Sequence, residues 1–284
     1  MSKPSGSLHP RRYVFRGHAS GVSTHIRRPE THLPPIQGCS SLPVTGGLSQ
    51  SDVVSQQSDK WVLFDRVSTR AHGDYVNAEE GVATTRGDVA FDAAATKTTV
   101  TADVHGLVIL GRVHIGRASV GLISHSSVDG EDPVILLQDN RLEGVRIDDS
   151  YLKITLAQEF FCECDTRKKL AKRHAAGLAP HHAGLFLPTT EGGDAVSVFP
   201  EAKGTVKCTI VQEISWAGAP HPTATIHGHV VRVPNFGKIY FGEMFVSGDT
   251  RRLTMVRFQL GSEDGGEVTV AEGENNGEKW PPGT

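Results

Sequence analysis

Residues Thr223 to Val246 read TATIHGHVVRVPNFGKIYFGEMFV, and the reading of this stretch decides the fold. Ile, Val, Tyr and Phe dominate on either side of Pro234-Asn235-Phe236, the composition of two strands around a turn. If Val233 faces Gly237, then Val231 stands opposite Ile239, His229 opposite Phe241 and His227 opposite Glu243. A slip of one residue would set Ile239 against Arg232, so hydrophobic matching selects the first register. The second strand is apolar on both parities, with Ile239, Phe241 and Phe245 on one and Tyr240, Met244 and Val246 on the other. Such a strand needs cover on two sides, in the middle of a sandwich, in a packed barrel or against a partner chain.

Working outward, short β-branched and aromatic runs broken by turns extend from Lys60 to Leu260. Further strands are expected at Trp61 to Arg70, Thr98 to Ile109, Val113 to Ile123, Tyr151 to Cys162, Thr205 to Ile214 and Arg252 to Leu260. They do not alternate with amphipathic helices, which disfavours a parallel βαβ sheet. Val100 to Ile115 carries apolar residues on both parities, but nothing recurs at the fixed period a solenoid needs. It reads as two strands around Gly111-Arg112, covered on both faces. One helix is expected over 166–176, capped by Asp165 and ended by Gly177, with Arg167, Lys168 and Lys169 in a first turn that disfavours cations. The expectation is an all-β fold, an antiparallel sandwich or barrel of about a dozen strands with one short helix.

Composition agrees. The chain has 284 residues, 38% of them hydrophobic, enough for a full core, and 31 Gly that serve many turns. A net charge of −3 argues against a general polyanion trap, and the basic helix has no interleaved aromatics, so nucleic acid is not an expected partner. No apolar run approaches the ~20 residues of a membrane-spanning helix. The first 21 residues lack the apolar segment of an export signal and no glycosylation sequon occurs, so the expected location is cytoplasmic, without a membrane partner.

Three segments are delineated: a basic, Pro/Ser-rich arm and linker at 1–59, a single β-rich domain at 60–260, and an acidic tail at 261–284. The arm sets Lys3, Arg11, Arg12, Arg16, Arg27 and Arg28 against Glu30, and the tail sets Glu263, Asp264, Glu267, Glu272, Glu274 and Glu278 against Lys279. Opposite charge allows the ends to meet, within one chain or between neighbours in self-association.

Signatures of nucleophile elbows, phosphate loops, dinucleotide folds, zinc proteases and EF-hands are all absent. The remaining constellation is on the hairpin. His227 and His229 lie two residues apart, about 7 Å along a strand, with Glu243 across the ladder. Two imidazoles and a carboxylate are a ligand set for zinc or non-haem iron with open positions. The bland reading is a half-buried ring pair with a cross-strand ion pair. His221, His181 and His182 are candidates for a further ligand, on loops that the sequence does not place. Cys162 and Cys164 share one strand face with Phe160 in this reading, as small core residues or as a soft-metal pair. Three functions follow as expectations: a non-enzymatic β-rich binding or self-assembly module, a metal-dependent enzyme or metal-binding protein using His227, His229 and Glu243, or a carrier of a small apolar ligand inside a β barrel, with which the composition is compatible.

Overall fold

The computed structural model describes residues 12–27, 31–54, 61–76, 83–84, 95–127, 133–176, 180–187, 189–191, 194–196, 206–247, 250–261, 265–275 and 277–280. The protein is an antiparallel β sandwich, as the strand pattern requires. An eleven-stranded sheet runs, in spatial order, Val211–Trp216, Ser150–Leu156, Arg146–Ile147, Val113–Ser127, Ala95–Ile109, Arg66–Val76 and Gly47–Val54, with four short strands pairing onto its sides. An eight-stranded sheet runs Thr225–His227, Val230–Val233, Gly237–Val246, Arg251–Leu260, Gly266–Asn275, Gly17–Ile26 and Gln37–Ser41, with Val206–Thr209 on the second half of strand 237–246. Strands 17–26, 251–260 and 266–275 of one sheet lie against 66–76, 95–109 and 113–127 of the other. Val100, Ala102, Val104 and Leu122 meet Val22, Leu253, Val256, Phe258 and Val270 in the buried layer between them. Among the described residues no helix is long and apolar enough to cross a membrane.

Both sheets carry a crease. In strand 237–246, Ile239 and Phe241 face inward on odd positions, whereas Met244 and Val246 face inward on even ones. The change of face falls at Gly242, whose φ of +62° leaves the strand region and enters one that glycine tolerates. Strand 251–260 changes face between Met255 and Val256, strand 266–275 between Val270 and Ala271, and strand 17–26 beside Gly21. The register places Gly242, Met255, Ala271 and Gly21 in one line across four strands. Strand 95–109 does the same at Gly106, opposite Gly116. A strand apolar on both parities therefore has one buried face that switches sides, and needs no second cover. That corrects the two-sided reading of strand 237–246 and of Val100 to Ile115.

The described parts of the terminal segments are not appendages. Strand 17–26 pairs along its length with strand 266–275, Arg12–Val14 pairs with Glu278–Trp280, and Arg16 bonds Glu278 at 2.8 Å. Of the opposite charges of arm and tail, Arg16 and Glu278 meet within a single chain, beside the short ribbon of 12–14 and 278–280. Alternation explains why composition misled: Glu267, Glu272 and Glu274 occupy the outward positions of a strand whose inward positions are Val268, Val270 and Gly273.

Local corrections follow the same logic. Strand 150–156 stops before a helix, Gln158–Glu163, because Phe160 and Phe161 are both buried as neighbours. The second helix is Arg167–Ala175, capped by the Thr166 hydroxyl accepting from Lys169 N at 3.2 Å, while Asp165 instead pairs with Lys169 Nζ at 2.7 Å. Gly177 lies outside the described residues. The run expected at Thr205 to Ile214 divides at Ile210, where the chain passes from one sheet to the other.

Candidate binding site

The turn at Pro234 forms in the expected register, Val233 opposite Gly237 and Val231 opposite Ile239. Beyond Val230 the first strand turns back. Gly228 adopts φ +58° and opens a two-residue turn with His229, the glycine position of a type II′ turn, so Thr225–His227 folds onto Val230–Val233. His227 thereby lies opposite Val230 and is exposed. Glu243 pairs instead with Thr254 on one side and Thr209 on the other. The expected His227 to Glu243 opposition is overturned by that glycine.

His229 and Glu243 do come together, with Nε2 3.6 Å from Oε1 and both side chains largely buried. The remaining capacity of the carboxylate goes to Arg257, whose Nε donates at 2.6 Å and whose terminal nitrogen donates at 3.0 Å. Arg257 also lies over the Tyr240 ring at 3.8 Å and donates to Glu267 at 3.2 Å. Burial alone would raise the Glu243 carboxyl, but its contacts with His229 and Arg257 outweigh burial and hold it at about 2. Among the described residues no three His, Cys, Asp or Glu side chains form a metal-ligand cluster.

His221 is fully engaged elsewhere. Its Nδ1 accepts from the backbone N–H groups of Thr223 and Ala224 at 3.2 and 2.9 Å, so Nε2 carries the proton and donates to Asp148 at 3.0 Å. Arg112 grips the same Asp148 through two hydrogen bonds and donates to the carbonyl of Pro234, tying the sheets together at this end. Neither His221 nitrogen has a lone pair left for a cation. His182 packs against Phe160 at 4.7 Å, and nothing is described of the His181 side chain. Cys162 is exposed on a helix and Cys164 is buried just beyond it, so they share no strand face.

Around Glu243 the outer face of the creased sheet opens into a crevice of about 400 Å³. At one end, Phe245 lies between Lys207 and Arg252, its cross-strand neighbours, with Lys207 Nζ 5.8 Å and the Arg252 guanidinium 4.6 Å from the ring centre. Arg252 Nε is buried and, among the described residues, has no hydrogen-bond partner. Toward the other end stand Glu267 and Glu272, the latter accepting from the Thr254 hydroxyl at 2.6 Å. Buried Cys208 lines the wall, its thiol pushed well above the usual range by burial and therefore unreactive. Lys207, Arg252, Arg257, Thr254 and Glu272 were not legible as a set. Their only sequence signal is charge on alternate positions, and the crease shifts that alternation by one.

Fold and site together define a creased antiparallel sandwich bearing a charged crevice on one outer face. A family model described as a domain of unknown function, DUF8256, matches residues 13–182 and 191–247, and the chain belongs to that family. No curated protein and no solved structure matches the chain.

Proposed function

We propose that this protein is a non-enzymatic binding module whose crevice takes a zwitterionic ligand of the amino-acid or short-peptide class. The observation that carries the reading is the orphaned Arg252 Nε beside Phe245. A buried donor without an acceptor costs roughly 1–3 kcal/mol, and a ligand carboxylate or carbonyl placed there would remove that cost. Lys207 and Arg252 stand at the aromatic end, Glu272 lies in the next row of the sheet, and Glu267 lies beyond it beside Arg257, which suits a ligand with an acidic group at Arg252 and an amino group at Glu272. A non-catalytic role is supported by Glu243. General acid–base catalysis wants a group that titrates near working pH, and a carboxylate held at about 2 by a guanidinium stays ionised and occupied.

The test is calorimetric titration of the full chain with a panel of dipeptides, with inorganic phosphate and N-acetylated dipeptide amides as controls. Saturable binding of the zwitterions, weakened about tenfold or more by Arg252→Gln, is expected. Heats confined to phosphate, or equal binding by Arg252→Gln, would refute the reading.

A further inference from the structure

The eleven-stranded sheet ends on strand 47–54, which pairs with strand 66–76 on one side and, among the described residues, with no strand on the other. At eight residues this is a long edge, and its sequence GLSQSDVV contains neither the proline nor the lysine that usually blunt such an edge. Its outward positions include Leu48 and Val54, 51% and 67% exposed. They belong to a wider group, since Leu33, Ile36 and Val44 are also exposed, and of the large apolar side chains exposed among the described residues only Tyr151 lies outside residues 33–54. An edge with unpaired backbone groups and an apolar rim is a template for another strand.

We infer that strand 47–54 is the seam of a two-fold symmetric dimer, in which it pairs antiparallel with the same strand of a second copy. The choice of partner rests on self-complementarity. A two-fold axis normal to the sheet keeps outward residues opposite outward residues, which restricts the register to steps of two. With Ser51 opposite its own copy, Leu48 faces the partner's Val54 and Gln50 faces the partner's Asp52. Two residues one way, Asp52 would face Asp52 of the partner subunit, a like-charge pair that opposes association. Two residues the other way, Leu48 would face the partner's Asp52. Of these three registers, which pair the strand over most of its length, only the first matches apolar with apolar and separates the carboxylates. Asp52 keeps its Arg66 partner at 3.1 Å, on the same outer face. The seam lies in the other sheet from the crevice, so it stands or falls independently of the proposed ligand.

Sedimentation of the full chain over a concentration series should show a monomer–dimer equilibrium. Leu48→Lys and Val54→Lys, both at exposed positions, should each raise the dissociation constant about tenfold or more while leaving circular dichroism unchanged. Register is read by cross-linking in a Cys39→Ser/Cys162→Ser background. Gln50→Cys mixed with Asp52→Cys should give a disulfide-linked dimer under mild oxidation, and either variant alone should give little. A chain that stays monomeric throughout, a dimer indifferent to both lysines, or efficient cross-linking of Gln50→Cys by itself would overturn the inference.

Discussion

Arg257 reaches across the crease to Glu243. The two outward residues of strand 251–260 that flank the crease, Thr254 and Arg257, are three positions apart where an unbroken strand would have them two apart. That extra residue lets the guanidinium lie over Tyr240 and still give Glu243 two hydrogen bonds. Removing one partner strands the other, so Glu243→Gln or Arg257→Gln should cost about 2–4 kcal/mol in urea unfolding, and the double variant less than the sum. Additive losses would show that the two groups do not act as a pair.

Acid should find the same pair. The folded Glu243 carboxyl sits at about 2 against an ordinary 4.5, so its contribution is complete above about pH 4.5 and is lost as pH falls toward about 2. A tenfold change in proton affinity is worth about 1.4 kcal/mol, which makes the contribution on the order of 3 kcal/mol. Unfolding free energies of the native chain and Glu243→Gln, measured at neutral pH and near pH 3, should converge on acidification. A gap that holds constant would contradict the assignment.

The crease itself is testable at Gly242. A Cβ there would lie 2.8 Å from Ile210 Cγ1 and 3.0 Å from Val211 Cγ2, in addition to the left-handed backbone. Gly111 has a similar φ of +67° and nothing within 4 Å. Gly111→Ala should therefore cost about 1 kcal/mol and Gly242→Ala about 2–3 kcal/mol by denaturation. Equal costs would mean that packing at the crease is loose.

His221 should carry its proton on Nε2 and none on Nδ1, because two backbone N–H groups point at Nδ1. Nitrogen chemical shifts from selectively labelled protein report the tautomer directly, and a proton on Nδ1 would contradict the geometry. His221→Phe keeps the stack on Trp216 but leaves Asp148 with fewer donors, for an expected loss of about 1–3 kcal/mol.

For the two histidines of the hairpin the expectations differ. His227→Ala, at an exposed position, should change stability by less than about 0.5 kcal/mol, and His229→Ala, which loses its contact with Glu243, by about 1 kcal/mol. Added zinc should not raise the melting temperature. A rise that His227→Ala abolishes would restore the three-ligand reading.

The architecture was legible because β-branched alternation, turn residues and the absence of amphipathic helices are local properties. The register across Pro234 was legible too, since one slip exposes Ile239 to Arg232. The crevice was not. Arg257 meets Glu243 only because Gly242 and its neighbours in line each shift the face of their strand by one, and no single strand reveals that four shifts coincide. Gly228 likewise reads as a strand residue until the chain around it folds back.

By itself, then, the chain's order of residues determined an antiparallel all-β body and the turn that joins Val233 to Gly237, because backbone propensity and face-matching act between near neighbours. Tertiary structure alone decided that the basic and acidic ends are adjacent core strands, that His227 leaves Glu243 for the surface, and that Arg252, Phe245 and Lys207 share one crevice. These depend on which strands lie side by side over separations as long as that from Gly17 to Asn275, and that is set by closing one buried layer between two sheets.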